Sequence, residues 1–467
     1  MIRDPGTKTS KVLLSWIPGR ASLARNDKAW RSMHTEEITI DNITKIEGTA
    51  GLNVTVTDGK VTDLKFTIKD YRRFYTEAVK GKPLIAAPSF LSRICGTCSV
   101  AHLFAAIEAL EKSQGIVVTE QTKTLRRLAY NGLMIRDHAL HLYFFVLPDV
   151  LGIDSILDIP DDPSNLGHTL LHDSFDIKKI GADLTEVIIG AAIHAPYPTV
   201  GGFLKLPDPA KFPDLINRLE KIRPQILRGI KTFFEYPESL IRNSDYLCLR
   251  NDRDYDFING EIVNSSDRRI PEEQFHDFLK SVVIPYSQAE GYVFSDTHDD
   301  YLVGALARLN FNKDLLNPLV KSEAKEYLNV FPSNNIYHNN LAQAIEILQC
   351  VEDALGILKT LTIVDEKPIK ARVKAGSGVG VVEAPRGILY HYAKVNDQGI
   401  IDDYDAIVPT AQNQINIEND LKKYFNDNLD KDRNTLKFEA EKIIRAYDPC
   451  MSCATNFLKV NWTGAPQ

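Results

Sequence analysis

Residues 93–102 read Arg-Ile-Cys-Gly-Thr-Cys-Ser-Val-Ala-His, and residues 448–453 read Asp-Pro-Cys-Met-Ser-Cys. Each stretch contains a C-x-x-C pair, and two thiolates at this spacing can bind one metal ion. Gly96 allows the backbone to turn between the first two thiols, and Pro449 restricts the backbone just before the second pair. We therefore predict one buried metal centre with redox chemistry, formed by Cys95, Cys98, Cys450 and Cys453.

A structural zinc site with four thiolate ligands is the main alternative for two such pairs. Zinc ribbons and fingers carry their pairs on one small unit, typically ~12 to 20 residues apart. Here about 350 residues separate the pairs, in a chain long enough to have its own hydrophobic core. This long separation along the chain favours a redox centre over a zinc site that only stabilises the fold. Soft thiolates suit zinc, iron–sulfur clusters, copper(I) or nickel, and spacing alone does not choose among them.

The composition is that of a soluble globular protein. The chain has 467 residues, of which 44% are hydrophobic and 25% charged, and its net charge is -7. This charge argues against a nucleic-acid partner, and no apolar run reaches the ~18 residues of a membrane span. Six cysteines are too few for a disulfide scaffold of this length. We predict a cytoplasmic protein, associated with a membrane only through partner subunits.

The hydrophobic pattern predicts a mostly helical domain with small sheets. An antiparallel sheet is predicted over 38–69, with a hairpin turn at Thr57-Asp-Gly-Lys60, a second hairpin over 246–262, and strands over 371–406. Helices are predicted at 99–114, 121–146, 215–236, 271–283, 337–361, 413–426 and 434–446. Gly115 is a natural stop for the first of them. If that helix begins near Cys98, His102 lies one turn further on the same face, within reach of the cluster.

The two cysteine motifs closely resemble, in order and placement, the two signature motifs of the nickel–iron hydrogenase large subunit. Other stretches resemble motifs of that family through most of the chain: Ile43-Thr-Lys-Ile-Glu-Gly48, Arg136-Asp-His-Ala-Leu-His-Leu-Tyr143, Ile193-His-Ala-Pro before Gly201-Gly202, Glu383-Ala-Pro-Arg-Gly387 and Val408-Pro-Thr-Ala-Gln-Asn413. The resemblance implies an α+β, predominantly α-helical, hydrogenase large-subunit-like fold. It would have a central helical bundle and small peripheral β-sheets.

The resemblance also implies the centre and the reaction. Nickel would be held by four thiolates and bridged to an iron that carries CO and cyanide. By motif position, Cys95 and Cys450 would bind nickel terminally, and Cys98 and Cys453 would bridge to iron. The chain would be the catalytic subunit of an enzyme, with reversible heterolytic cleavage of H2 into protons and electrons as its reaction.

Four further positions take roles from the same resemblance. Glu47 matches the family's proton-transfer carboxylate, and Arg386, after Pro385, matches the arginine held over the metals. Asp137 and Asp448 match the carboxylates that orient and neutralise this arginine. Without the motifs, Glu47 would be interpreted as a surface glutamate and Arg386 as an exposed turn residue.

The resemblance also covers the surroundings of the cluster and its electron acceptor. His102 matches a histidine that hydrogen-bonds a bridging sulfur, and Thr410 falls where a hydroxyl lies near cyanide. The remaining cysteines, Cys248 and Cys350, are interpreted as small buried hydrophobes. Two thiols are too few for a cubane iron–sulfur cluster. The chain therefore needs a partner, and the family's iron–sulfur small subunit is the one implied.

The chain departs from the family at two linked positions. Asn456 replaces a histidine that marks where a maturation protease removes the C-terminal peptide, here 457–467. Thr76, beside Glu77, replaces a glutamate that helps to bind magnesium in many relatives. We expect the magnesium site to be lost or remodelled, and cleavage of the tail is in question.

The domain organisation predicted is a disordered extension over 1–32, one large-subunit-like domain over 33–456 and the tail over 457–467. Alternatively, Met33 is the true start. Two other classes of protein share the family's fold. One is a regulatory, hydrogen-sensing homologue with slow turnover. The other is a non-catalytic relative in respiratory complex I, which is disfavoured because such relatives lose the cysteines that this chain keeps.

Overall fold

The computed structural model describes residues 35–370 and 372–455. The predicted extension over 1–32, the position of Asn456 and the tail over 457–467 lie outside the described residues. Within the described part, none of the helices has both the length and the apolar character that crossing a lipid bilayer requires.

Helices make up most of the regular structure. They are α1 (Tyr75–Ala78), α2 (Ala87–Leu91), α3 (Ser99–Gln114), α4 (Glu120–Leu140), α5 (Leu147–Leu151), α6 (Leu166–Ile189), α7 (Phe212–Phe234), α8 (Phe275–Phe278), α9 (Ala305–Asn312), α10 (Pro318–Glu323), α11 (His338–Thr360), α12 (Pro409–Asn428), α13 (Arg433–Ala446) and α14 (Met451–Ala454).

The strands are short by comparison. They are β1 (Thr35–Ile40), β2 (Ala50–Thr57), β3 (Lys60–Ile68), β4 (Pro198–Thr199), β5 (Gly202–Phe203), β6 (Asp245–Arg250), β7 (Glu261–Asn264), β8 (Arg269–Ile270), β9 (Leu279–Val282), β10 (Gly291–Phe294), β11 (Tyr301–Leu302), β12 (Gly376–Ala384), β13 (Gly387–Val395) and β14 (Ile401–Ile407).

A bundle of α4, α6, α7 and α11 forms the centre of the described structure. The hydroxyl of Thr119 accepts a hydrogen bond from the Thr122 N–H at 3.0 Å and so caps the start of α4. Asn165 caps α6 in the same way. At its C-terminal end α4 runs into a π-helical turn, His141–Val146. The predicted bundle is therefore present, and it places the C-terminal half of α4 in the protein interior.

All three predicted β segments are found, the third of them as the strands β12, β13 and β14. The sheet β1-β2-β3 is antiparallel, and both Asp58 and Gly59 have positive φ in its hairpin turn. The strands β6 and β7 pair antiparallel, as predicted for the second hairpin. Of the seven predicted helices, all but the one over 271–283 are also found, with ends that differ by a few residues. The first of them ends at Gly115, which adopts the left-handed conformation.

The prediction of a helix over 271–283 is wrong. One helical turn, α8, is followed directly by the strand β9, which pairs antiparallel with β10. Phe275 and Phe278 are buried at helical spacing, and this explains the misleading pattern. The pairing of Leu279 with Phe294 then takes the chain into an extended conformation. Tertiary contacts outweigh local propensity in such short segments.

The sheet β12-β13-β14 lies inside the protein, against α3, rather than at the periphery. The alternating glycines Gly376, Gly378 and Gly380 turn one face of β12 toward the α3 backbone. A Cβ atom at Gly380 would overlap the carbonyl oxygen of Ala105. This close approach fixes the turn between β12 and β13 relative to the start of α3.

Replacing Gly380 by alanine is expected to destabilise the fold by about 1–3 kcal/mol, because the added methyl group has no room against α3. Gly356 is the matched control, since it is exposed on α11 and a Cβ atom there would meet no neighbour within 4 Å. Gly356→Ala is expected to raise helix stability by up to about 1 kcal/mol. Urea unfolding of both variants tests this, and equal effects would contradict the packing argument.

Candidate metal centre

The four motif cysteines meet at one buried point. The sulfur atoms of Cys95, Cys98, Cys450 and Cys453 lie within 4.8 Å of one another. The Cys450 sulfur is 3.4 Å from that of Cys95 and 3.0 Å from that of Cys453. These separations exceed the ~2.05 Å of a disulfide bond, so none of the four cysteines is in a disulfide. Among the described residues, this is the one group of at least three His, Cys, Asp or Glu side chains placed to bind an ion.

Contacts of the N-terminal part of the chain with the C-terminal part bring the two motifs together. Cys98 directly precedes α3, and Cys450 directly precedes α14. Glu47 forms an isolated parallel β-bridge with Cys450, and its carbonyl oxygen accepts the N–H of Met451 at 3.0 Å. The N–H of Cys450 donates to the hydroxyl of Thr410 at 2.8 Å. The residue expected near cyanide therefore also supports the second motif.

The thiols differ in acidity. Hydrogen bonds, first of all from Cys450, hold the pKa of the Cys95 thiol well below its usual range. Burial raises the pKa values of the Cys450 and Cys453 thiols well above theirs. A bound cation would stabilise further thiolates, because metal ligation requires deprotonated sulfur.

A buried guanidinium lies beside the sulfur of Cys98. Nη1 of Arg386 is 3.0 Å from Oδ2 of Asp137 and 3.3 Å from the sulfur of Cys98. Nη2 is 2.9 Å from Oδ1 of Asp448, a residue held at a φ of 52°. Gln343 donates to the other oxygen of this carboxylate at 2.9 Å. The arginine and the two predicted carboxylates thus form one ion cluster beside the thiols.

Three buried polar atoms of this cluster have no hydrogen-bond partner in the described structure. They are Nε of Arg386, Oδ1 of Asp137 and Nη2 of Arg386, whose contact with Asp448 is an ion pair without hydrogen-bond geometry. Buried polar atoms in native proteins are nearly always paired. Unpaired polar atoms beside four convergent thiols fit a bound group with both metal and polar character. A nickel–iron group with polar diatomic ligands has this character, so the residues present fit it.

Glu47 reaches the cluster through Ser452. The N–H of Ser452 donates to Oε2 of Glu47 at 3.1 Å, and its hydroxyl donates to Oε1 of the same carboxylate. The Ser452 hydroxyl is also 3.6 Å from the sulfur of Cys95. Burial, followed by the charge of Cys95, raises the pKa of Glu47. The sequence reasoning missed Ser452, although its place between Cys450 and Cys453 was a usable signal.

His102 lies beside Cys453, in the first turn of α3. Its Nε2 is 3.6 Å from the sulfur of Cys453, and its Nδ1 is 3.0 Å from Nε2 of His391. Burial lowers the pKa of His102 to about 4. His391 was also missed, and its place on β13, five residues after Arg386, was the only hint in the sequence.

A second buried ion cluster supports the turn that carries Arg386. The guanidinium of Arg308 contacts Glu346 at 2.6 and 2.7 Å and Glu383 at 2.9 Å. It also donates to the carbonyl oxygens of Ala384 and Pro385, each at 3.0 Å. All five of its donor hydrogens have acceptors. Burial raises the pKa of Glu383 to about 7. At Glu346 burial is outweighed by the charge of Arg308 together with hydrogen bonds from Arg308 and His138, which lower the pKa to about 2.

Arg308→Met is expected to lower the free energy of unfolding by about 3–5 kcal/mol, because two buried carboxylates lose their cation. Arg269→Met is the matched control, since Arg269 also pairs with two carboxylates, Asp252 and Glu261, but at the surface. It is expected to change stability little. The denaturant concentrations at the unfolding midpoints of the two variants test this prediction. Similar midpoints would show that the buried cluster does not stabilise the fold.

The predicted loss of the magnesium site involves residues that the structure describes only in part. Glu77 pairs with Lys80 at 2.8 Å, and Thr76 is buried. The second position, Asn456, lies outside the described residues. The expectation that this site is lost or remodelled therefore stays a prediction.

Four buried thiols and an arginine–carboxylate cluster inside a helical domain define the class as a thiolate-bound metalloprotein. The family model of nickel-dependent hydrogenases matches residues 73–186 and 336–456. Sulfhydrogenase 1 subunit alpha of Pyrococcus furiosus is 32% identical over 91% of this chain and 98% of its own length. The NAD-reducing hydrogenase HoxS subunit beta of Cupriavidus necator is 27% identical over 91% and 95%.

A solved NAD+-reducing [NiFe]-hydrogenase matches the fold with a TM-score of 0.77 at 24% identity, covering 90% of this chain and 99% of that one. A [NiFeSe]-hydrogenase of Dm. baculatum matches with a TM-score of 0.72 at 20% identity, covering 91% and 100%. The chain belongs to the nickel-dependent hydrogenase family. It is a catalytic large subunit and an oxidoreductase acting on H2, and the comparisons do not favour the regulatory alternative.

Proposed function

We propose that the four motif cysteines hold a nickel–iron centre whose iron carries CO and cyanide. In this assignment Cys95 and Cys450 would be ligands of nickel, and Cys98 and Cys453 would be ligands of both nickel and iron. When bound, the centre supplies the site at which H2 is split and its electrons are taken up. The observation that carries the proposal is the convergence of four buried sulfur atoms within 4.8 Å of one another, beside the guanidinium of Arg386.

Glu47 serves as the proton acceptor in this proposal. Its carboxylate is hydrogen-bonded to Ser452, whose hydroxyl also lies near the sulfur of Cys95. A proton at the Cys95 sulfur can therefore reach Glu47 through one hydroxyl. The Glu47 side chain is partly exposed, so it can pass the proton on toward solvent. A raised pKa suits this task, because the group must both accept and release a proton near neutral pH.

Arg386 provides a positive charge beside Cys98. Asp137 and Asp448 orient it and neutralise it, and the backbone at Pro385 is held by Arg308. A guanidinium fixed in this way can polarise H2 or donate a hydrogen bond to a cyanide nitrogen. Because every partner is buried, its position does not depend on solvent.

Electrons leave through a partner in this proposal. Cys248 and Cys350 are each fully buried, one on β6 and one on α11, and neither belongs to the metal-binding group found in the described residues. Relatives are named as alpha or beta subunits, which implies a multi-subunit assembly. We assign the acceptor role to an iron–sulfur small subunit and a role in maturation to a protease acting on 457–467. Six cysteines, none of them in a disulfide bond, suit a cytoplasmic location.

Infrared spectroscopy of the purified native heteromer tests the centre directly. Metal-bound CO and cyanide have stretching bands in a region free of protein absorption, and we expect both kinds of band. Their absence, together with zinc in the thiol cluster, would contradict the proposal. The intact mass of the same sample, which shows whether 457–467 is retained, would separate failed maturation from a wrong assignment.

A further inference from the structure

A row of three hydrogen-bond contacts leads away from the Cys453 sulfur into the buried sheet. It passes from Cys453 to Nε2 of His102 at 3.6 Å, and from His102 Nδ1 to Nε2 of His391 at 3.0 Å. The last contact joins Nδ1 of His391 to the hydroxyl of Tyr404 at 2.5 Å. His391 lies on β13 and Tyr404 on the adjacent β14, and every member is buried.

The donor and acceptor roles at one end of this row set the roles at the other end. A neutral imidazole has one N–H donor and one bare nitrogen acceptor. Burial lowers the pKa of His391 well below its usual range, so the ring is neutral. If Tyr404 donates its hydroxyl proton to Nδ1 of His391, then Nε2 of His391 donates to His102. The Nε2–H of His102 is then left to donate to the sulfur of Cys453.

The opposite direction is unfavourable at the cluster. If Tyr404 accepted from His391, His102 would have to donate from Nδ1, and its bare Nε2 would face the sulfur. A metal-bound thiolate is an acceptor only, so two lone pairs would then oppose each other. The thiolate at one end and the hydroxyl at the other thus favour the same order of donors.

We propose that His391 and Tyr404 are positioning residues, which set the tautomer of His102 so that it donates an N–H to Cys453. This inference rests on the proposed function, in which Cys453 is a bridging ligand. Partners of this kind orient a ligand and tune the electron density of the metal site. An N–H···S bond withdraws electron density from the sulfur. Its loss should therefore leave more density on the iron and lower the CO stretching frequency.

Tyr404→Phe removes the terminal donor and little else. We expect its CO band to shift to lower frequency relative to the unchanged protein. Tyr390→Phe is the matched control, because Tyr390 is also buried in this sheet and its hydroxyl has no hydrogen-bond partner in the described structure. The control should leave the band in place. An unshifted band in Tyr404→Phe, or an equal shift in both variants, would overturn the inference.

Two substitutions at His391 separate hydrogen bonding from packing. Glutamine can place a nitrogen donor near the position of Nε2, whereas methionine has a similar volume and no donor. We expect His391→Gln to stay near the original CO frequency and His391→Met to shift downward. The nickel and iron contents should also be higher in His391→Gln than in His391→Met. If the band positions and metal contents of the two variants do not follow donor ability, the inference is wrong.

Failure of this inference can be distinguished from failure of the proposed function. CO and cyanide bands in the unchanged heteromer test the nickel–iron assignment, and only the displacement of those bands among variants tests the row of donors. A heteromer with normal bands that are insensitive to all of these substitutions would keep the proposed function and reject the role of His391 and Tyr404.

Discussion

Cys450→Ser is expected to abolish H2 oxidation and to leave the chain without nickel. The Cys450 sulfur lies in contact with those of Cys95 and Cys453, at 3.4 and 3.0 Å. A serine hydroxyl is a poor, hard ligand that stays protonated where a thiol does not. Loss of a residue that only supports a ligand costs 10–100-fold in metal affinity, so loss of a direct ligand should cost more than about 100-fold.

Cys350→Ser is the matched control for this result. Cys350 is also fully buried, but it lies on α11 outside the thiol cluster. Its replacement should leave nickel content, iron content and turnover unchanged. Metal analysis and H2 uptake assays on both variants decide. Full nickel content in Cys450→Ser would show that Cys450 is not a ligand, whatever its effect on activity.

Glu47→Gln is expected to lower turnover by about 10²–10⁴-fold while the metal content stays normal. Glutamine keeps an oxygen that can accept the N–H of Ser452, so the local structure should persist. It cannot take up a proton. Glu37→Gln, an exposed substitution on β1, provides the control and should have no effect. Exchange between D2 and solvent protons should slow in parallel with turnover, and unchanged exchange would remove Glu47 from the proton path.

The pH dependence of turnover gives an independent check on the same residue. Burial and the nearby charge of Cys95 raise the pKa of Glu47 above its ordinary value. A proton acceptor must be ionised to work, so activity should fall as the pH falls through this raised pKa. The fall should begin at a higher pH than an ordinary glutamate would give. Glu47→Gln should lack this step, and a step that persists would belong to another group.

Most elements of the fold could be predicted from the chain because their signals are local. Gly115 ends α3 in the left-handed conformation, and Asp58-Gly59 forms the predicted turn. The segment 271–283 could not be predicted in this way, because the pairing of β9 with β10 overrides a helical pattern over a few residues. The interior position of β12 was equally hidden, since alternating glycines reveal a close contact but not the partner, α3.

The residues of the candidate site also fall into those that the sequence could identify and those that it could not. The residues of the two cysteine motifs, with Glu47, Asp137 and Arg386, could be proposed because motif position identifies them. The residues that support them could not. Ser452 acts between Glu47 and Cys95, and Arg308 holds the backbone at Pro385. Their importance lies in contacts over long sequence distances.

The sequence by itself indicated the family, through motifs along most of the chain, and predicted which cysteines can bind a metal, because both depend on residue type and spacing. Only the tertiary structure decided which groups serve these ligands. It placed His391 and Tyr404 behind His102 and showed buried Arg308 between two glutamates. The physical reason is that hydrogen-bond direction and charge balance are set by atoms a few ångströms apart in space, whatever their separation along the chain.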